Sequence, residues 1–248
     1  MVRFVDSRER EEEILGLIIE SYIRESRPIS SGYLCKECRL NYSSATVRNI
    51  MVSLEKKGLL SHIYTSSGRV PTQEGFKHYV EHFSEEDVAQ NYPVTLDFTS
   101  LPSLGMDEVV NYTLDALAQS SGYTSLVAIS GKDEKLFFRG RGMRFILDQP
   151  EFEDIRRLKH IFYALEVRME ELQQLLFNCI DDKVRILIGD DIGFDEISNC
   201  SLIASGLREN QFEFALGLLG PMRMNYTKAV SCLNSVKGQL KEVIEEFA

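Results

Sequence analysis

Ser44, Ala45, Arg48 and Asn49 stand at spacings that place them together on one face of a helix, near its N-terminus. They are small or hydrogen-bonding side chains. An arginine can pair bidentately with guanine, an asparagine with adenine, and a serine with a phosphate or a base. The intervening Val47, Ile50, Met51 and Leu54 form an apolar stripe that would pack inward. A second polar group follows: Thr65, Ser66, Ser67 and Arg69, with Gly68 permitting a tight bend between them. Arg69 is placed to reach a minor groove or a phosphate. The chemistry on offer is recognition of duplex DNA, although the same residues would also suit a solvated face.

The elements that must hold these residues are readable from periodicity and caps. Glu9 to Glu25 has Ile14, Leu15, Ile18, Ile19 and Tyr22 at helical spacing and stops before Pro28. Ser30 or Ser31 can cap a short helix through Cys38. Ser43 caps a third helix, Ser44 to Lys57, which Gly58 ends. Leu59 to Tyr64 reads as a strand, residues 65–68 as a turn, and Thr72 as the cap of a helix ending near Phe83. Three helices and a hairpin are the order of a winged helix-turn-helix. Residues 84–104, acidic and then holding Pro93 and Pro102, read as a linker.

Beyond the linker the expected order is a helix (Met106 to Ser120), two strands around a turn at 131–134, a helical stretch, continuous or with a break, from Pro150 to about Ile180, and three strands. The strands run Val184 to Ile188, Ser201 to Leu207 and Phe212 to Leu219. A final helix capped by Asn225 closes the chain. The expected fold class is α+β, an antiparallel sheet with helices. The expected domains are 1–83, the linker 84–104, and 105–248.

Charge supports this division. The chain has 248 residues and a net charge of −10, which argues against a general nucleic-acid coat. Between Arg27 and Val80, 8 Lys and Arg face 3 acids, a local net of +5 against −15 for the remainder. A basic module on an acidic body can bind phosphate at one face while the body resists non-specific adsorption. The N-terminus lacks the apolar stretch of a secretory signal, and no apolar run is long enough to span a bilayer. A cytoplasmic, membrane-free protein is therefore expected.

The remaining signals are weaker. Cys35-x-x-Cys38 lacks a second cysteine pair, and zinc takes about four ligands. His62, His78 and His82 would complete a set only if the fold gathered them. The five cysteines read as reduced thiols. His160 reads as a surface residue. Gly140-x-Gly142 is too short for a phosphate loop. No nucleophile-base set is legible, so neither an enzyme nor a cofactor nor a metal is expected.

Six stretches carry a family resemblance. The runs 40–51 (LNYSSATVRNIM), 54–60 (LEKKGLL) and 65–76 (TSSGRVPTQEGF) closely resemble the N-terminal domain of the heat-inducible transcription repressor HrcA family. Asp148 to Phe152, Ile188 to Leu202 and Gly217 to Tyr226 resemble further family motifs. The resemblance implies a bacterial repressor of chaperone operons of the GroE and DnaK groups. It implies a homodimer on an inverted-repeat operator in double-stranded DNA, a GAF-like C-terminal domain, and modulation by the GroEL chaperonin. It places Ser43, Ser44, Ala45, Thr46, Arg48, Asn49, Thr65, Ser66, Ser67 and Arg69 among the DNA-binding candidates. One departure stands out: Tyr123 to Ser130 passes through one short hairpin to Gly140–Gly142 and on to Asp148–Pro150, so the dimerisation segment usually inserted there is expected to be missing or much shortened. Two other readings stay open, a ligand-sensing GAF-like regulator of other genes and a winged-helix protein-interaction module.

Overall fold

A computed structural model describes residues 7–63, 68–83, 105–131, 137–181, 183–209 and 212–245. The chain divides into two compact units, Met1–Phe83 and Ser84–Ala248. The expected linker at 84–104 lies outside the described residues.

The first unit is built from α1 (Ser7–Glu25), α2 (Ser31–Glu37), α3 (Ser44–Lys56), strands β1 (Leu60–Ser61) and β2 (Val70–Pro71), and α4 (Gln73–Glu81). Each of three helices starts on a hydroxyl cap, as the sequence indicated: Ser30 on α2, Ser43 on α3 and Thr72 on α4. The apolar stripe of α1 is buried through Ile14, Leu15, Ile18 and Ile19. It meets Val47, Met51 and Leu54 of α3 and Phe76 of α4. Gly58, at φ +78°, takes the left-handed turn that ends α3. The strand expected over Leu59 to Tyr64 is only two residues long, pairing Leu60 with Pro71 and Ser61 with Val70.

The second unit is a five-stranded antiparallel sheet of order β4-β3-β7-β6-β5. Its elements are α5 (Met106–Ser121), β3 (Thr124–Gly131), β4 (Phe137–Arg141), α6 (Arg144–Leu147), a 3₁₀ turn Pro150–Phe152, α7 (Ile155–Val167) and α8 (Met169–Asn178). They are followed by β5 (Arg185–Ile188), β6 (Cys200–Glu209), β7 (Phe212–Pro221) and α9 (Tyr226–Glu245). The unit is α+β.

Alternation sorts the strand residues into two layers. Leu126, Ala128, Leu202, Ala204, Ala215 and Leu219 pack with Ile161, Ala164, Leu172 and Leu176 of α7 and α8. The intervening residues face α5 and α9. There, Ser125 donates to the Leu114 carbonyl at 2.7 Å, and the Ser201 and Tyr226 hydroxyls share a hydrogen bond at 2.9 Å. Burial on both faces explains why β6 and β7 read as near-continuous apolar runs. The helical stretch from Pro150 breaks at Arg168, which ends α7 and begins α8. Among the described residues, no helix is long and apolar enough to cross a membrane.

Candidate nucleic-acid interface

The N-terminus of α3 is set by its cap. The Ser43 hydroxyl accepts from the Thr46 N–H at 3.1 Å and lies 2.9 Å from the Thr46 hydroxyl. Both side chains therefore serve the helix start. The Ser31 and Ser44 hydroxyls are 3.0 Å apart and fasten the beginning of α2 to the beginning of α3. Tyr42 donates to Glu13 at 3.1 Å, which anchors the α2–α3 connection on α1.

With Val47, Met51 and Leu54 buried and Ile50 partly so, α3 turns Ser44, Ala45, Arg48 and Asn49 to solvent. Four of the candidate residues thus share one exposed face at the start of one helix. Thr65, Ser66 and Ser67 lie outside the described residues.

Arg69, which the sequence offers to a minor groove or a phosphate, is engaged within the protein. Its Nε and Nη2 donate to Glu55 at 2.9 Å, and its side chain is only 19 % exposed. Its backbone pairs with Ile29 in both directions, at 2.8 and 2.9 Å. Gly68 is tied to the same contact. A Cβ there would lie 2.5 Å from the Ile29 carbonyl carbon, so close approach, not a left-handed turn, demands the glycine. Arg69 thus anchors the hairpin to α3 through Glu55. Glu55 also bonds His62 on the other side of the hairpin. Burial pushes the Glu55 carboxyl up, but the His62 hydrogen bond and the Arg69 charge outweigh this and hold it below its ordinary value.

Ion pairing decides which cations stay available. Lys57 is held by Glu11, Arg27 by Glu25 and Lys77 by Glu74. The Lys57 and Ser53 hydrogen bonds hold the Glu11 carboxyl below its usual range. Among the described residues of this unit, Lys36, Arg39, Arg48 and Lys56 are exposed and without a carboxylate partner. Three of these, Lys36, Arg39 and Lys56, were not singled out from the sequence. The local excess of basic residues was visible, but its partition into paired and unpaired charges depends on which acids α1 brings close. Arg39 also takes φ +49°, a left-handed conformation that seldom suits a non-glycine side chain.

Residues 128–230 match a family described as "HrcA protein C terminal domain". The heat-inducible transcription repressor HrcA of Oceanobacillus iheyensis is 24% identical over 338 residues, covering 96% of this chain and 98% of its own length. The protein of the same name from Natranaerobius thermophilus is 24% identical over 335 residues, covering 96% and 97%. Both alignments run well beyond the 248 residues present here, so these relatives carry residues that this chain lacks. A crystal structure of a hypothetical protein superposes with a TM-score of 0.75 at 14% identity, over 97% of this chain and 99% of the other. At that identity the likeness speaks for the fold alone.

Proposed function

The chain is a member of the HrcA family, and from that premise we propose that it is a sequence-specific transcription repressor that binds operator DNA and releases it on heat stress. The first unit acts as a winged helix-turn-helix. In this reading α3 is the recognition helix, and β1 and β2 are the strands of the wing. The observation that carries it is the exposed face of Ser44, Ala45, Arg48 and Asn49 at the N-terminus of α3, where a recognition helix meets base edges. Lys36, Arg39 and Lys56 supply the electrostatic, sequence-independent part of the affinity. Arg69 acts indirectly, by holding the wing.

The second unit is a GAF-like regulatory and dimerisation domain. A two-fold operator needs two recognition helices spaced about one DNA turn apart, hence a dimer. Of the eight exposed large apolar side chains among the described residues, six fall between Leu147 and Met169. Ile155 is 65% exposed and Val167 58%. Such a concentration marks an interaction surface more often than plain solvent exposure. It offers a dimer contact in place of the residues that the relatives carry and this chain lacks. The operator is an inverted repeat upstream of chaperone genes, and the GroEL chaperonin assists the folded repressor. None of this calls for an enzyme activity, and the site is one for a cytoplasmic DNA ligand.

The experiment is a footprint on the upstream regions of the organism's chaperone operons and of the chain's own gene. Protection of a two-fold symmetric segment, lost on heating, is the expected result. Uniform weak binding to every duplex would contradict the proposal.

A further inference from the structure

Glu12 on α1 and His78 on α4 meet His82, the residue that caps the end of α4. One ligand atom from each lies within 4.8 Å of the others. The two histidines are four apart on the helix and so share a side. Their ring centroids are 4.4 Å apart. Nδ1 of His82 is 2.7 Å from the His78 carbonyl oxygen. A carbonyl only accepts, so Nδ1 carries the proton and Nε2 presents a lone pair. A ring N–H given to a backbone carbonyl is the arrangement that fixes the tautomer and orientation of metal-binding histidines.

We propose that Glu12, His78 and His82 bind a divalent transition cation of the zinc or nickel class, which clasps α4 to α1. Two imidazole nitrogens and one carboxylate oxygen suit such borderline ions, whereas calcium and magnesium favour oxygen ligands. Ligands around tetrahedral zinc stand about 3.3 Å apart, so the three side chains close by about 1.5 Å at most. Little opposes that movement. Arg8, which pairs with Glu12 at 3.4 Å, is 81% exposed and forms a weak competitor. A cavity of about 370 Å³, lined in part by Arg8, Glu12, Leu15, Lys57 and His78, borders the site. Three protein ligands leave a coordination position for water, so the cation exchanges. The site uses none of the α3 residues assigned to DNA. Its effect is on the stability of the first unit, because a cation bound only by the folded state stabilises it by mass action. Cys35 and Cys38, the pair that the sequence brought forward for metal, take no part.

The test uses the full chain, stripped with a chelator and desalted, and zinc chloride alone as the probe. Calorimetry should show one zinc bound, and saturating zinc should raise the melting temperature by about 5 °C or more. His78→Ala, His82→Ala and Glu12→Gln should each weaken binding at least about tenfold. The Cys35→Ser, Cys38→Ser double variant should bind as wild type does. Cobalt should bind without the charge-transfer band that thiolate ligands add. Circular dichroism of His82→Ala, whose ring is exposed, verifies that the loss is of a ligand and not of the fold. Zinc binding that persists in a His78→Ala, His82→Ala protein, or that vanishes with the two cysteines, would overturn the proposal, as would no zinc binding by the wild type.

Discussion

Arg223 grips Glu151 across 72 positions of sequence, donating from Nε to its carboxylate and from Nη2 to Gln149 at 2.9 Å. The arginine side chain is 10% exposed and the glutamate 23%. The bond ties the 3₁₀ turn before α7 to the turn that ends β7. Next to it the Asn225 N–H donates to the Tyr123 hydroxyl at 2.7 Å. Two of the stretches that resemble family motifs, residues 148–152 and 217–226, are thus two halves of one polar clasp.

Replacing Arg223 by Met should leave the Glu151 carboxylate partly buried without its cation. The expected cost is about 2–4 kcal/mol, because removing one partner of a largely desolvated pair strands the other charge. Urea unfolding of wild type, Arg223→Met, Glu151→Gln and the double variant measures it. The double variant should lose less than the two singles together. Strict additivity would show that the pair is not coupled.

Glu55, held down first by its His62 hydrogen bond and then by the Arg69 charge, gives a pH dependence whose sign is fixed. Its carboxyl is held below the ordinary value, so the stabilisation is present above the unfolded pKa, about 4.3, and is lost as pH falls through the folded value. Glu55→Gln should therefore be less stable than wild type at pH 7, and the gap should narrow in acid. A gap that widens as the pH falls would contradict this assignment.

Thiol reactivity should split the cysteines two and three. Cys179, Cys200 and Cys232 are buried, and burial pushes the Cys200 thiol up to about 12. Cys35 and Cys38 are partly exposed. A disulfide reagent should titrate two thiols in the native protein and five in denaturant. Rapid reaction of a third would mean that the second unit opens readily.

If α7 forms the dimer contact, Ile155→Glu and Val167→Glu should yield monomers while far-ultraviolet circular dichroism stays unchanged, since both side chains are already exposed. Sedimentation at micromolar concentration reads this. Wild type sedimenting as a monomer even with operator present would remove the contact and the two-fold model with it.

What was legible in the sequence was local. Ser43 and Thr72 announced helices because a cap needs only the next three residues, and Val47, Met51 and Leu54 announced the buried side of α3 through their spacing. The strands β6 and β7 were visible as long apolar runs. A break in the stretch after Pro150 was among the expectations, but its place at Arg168 was not legible, because no proline or glycine marks it. Its side chain instead pairs with Glu171 and, 28 positions away, Glu196. Nor could spacing show that Glu55 holds Arg69, which depends on how the hairpin folds back on α3, or that Glu12 meets His78, which depends on two helices packed from distant parts of the chain. The type of Arg69 suggests a DNA ligand, and nothing in its spacing reveals that it also pairs with Glu55.

The reading of α3 as the recognition helix rests most directly on Arg48. Operator titrations of wild type and Arg48→Ala, at two salt concentrations and beside a scrambled duplex, test it. Arg48→Ala should lose about 1–3 kcal/mol on operator and relax the preference at one base pair, with an unchanged fold. Lys56→Ala should instead weaken operator and scrambled duplex alike and lower the salt slope by about one. If Arg48→Ala binds operator as tightly as wild type, with circular dichroism unchanged, α3 does not read DNA through this face.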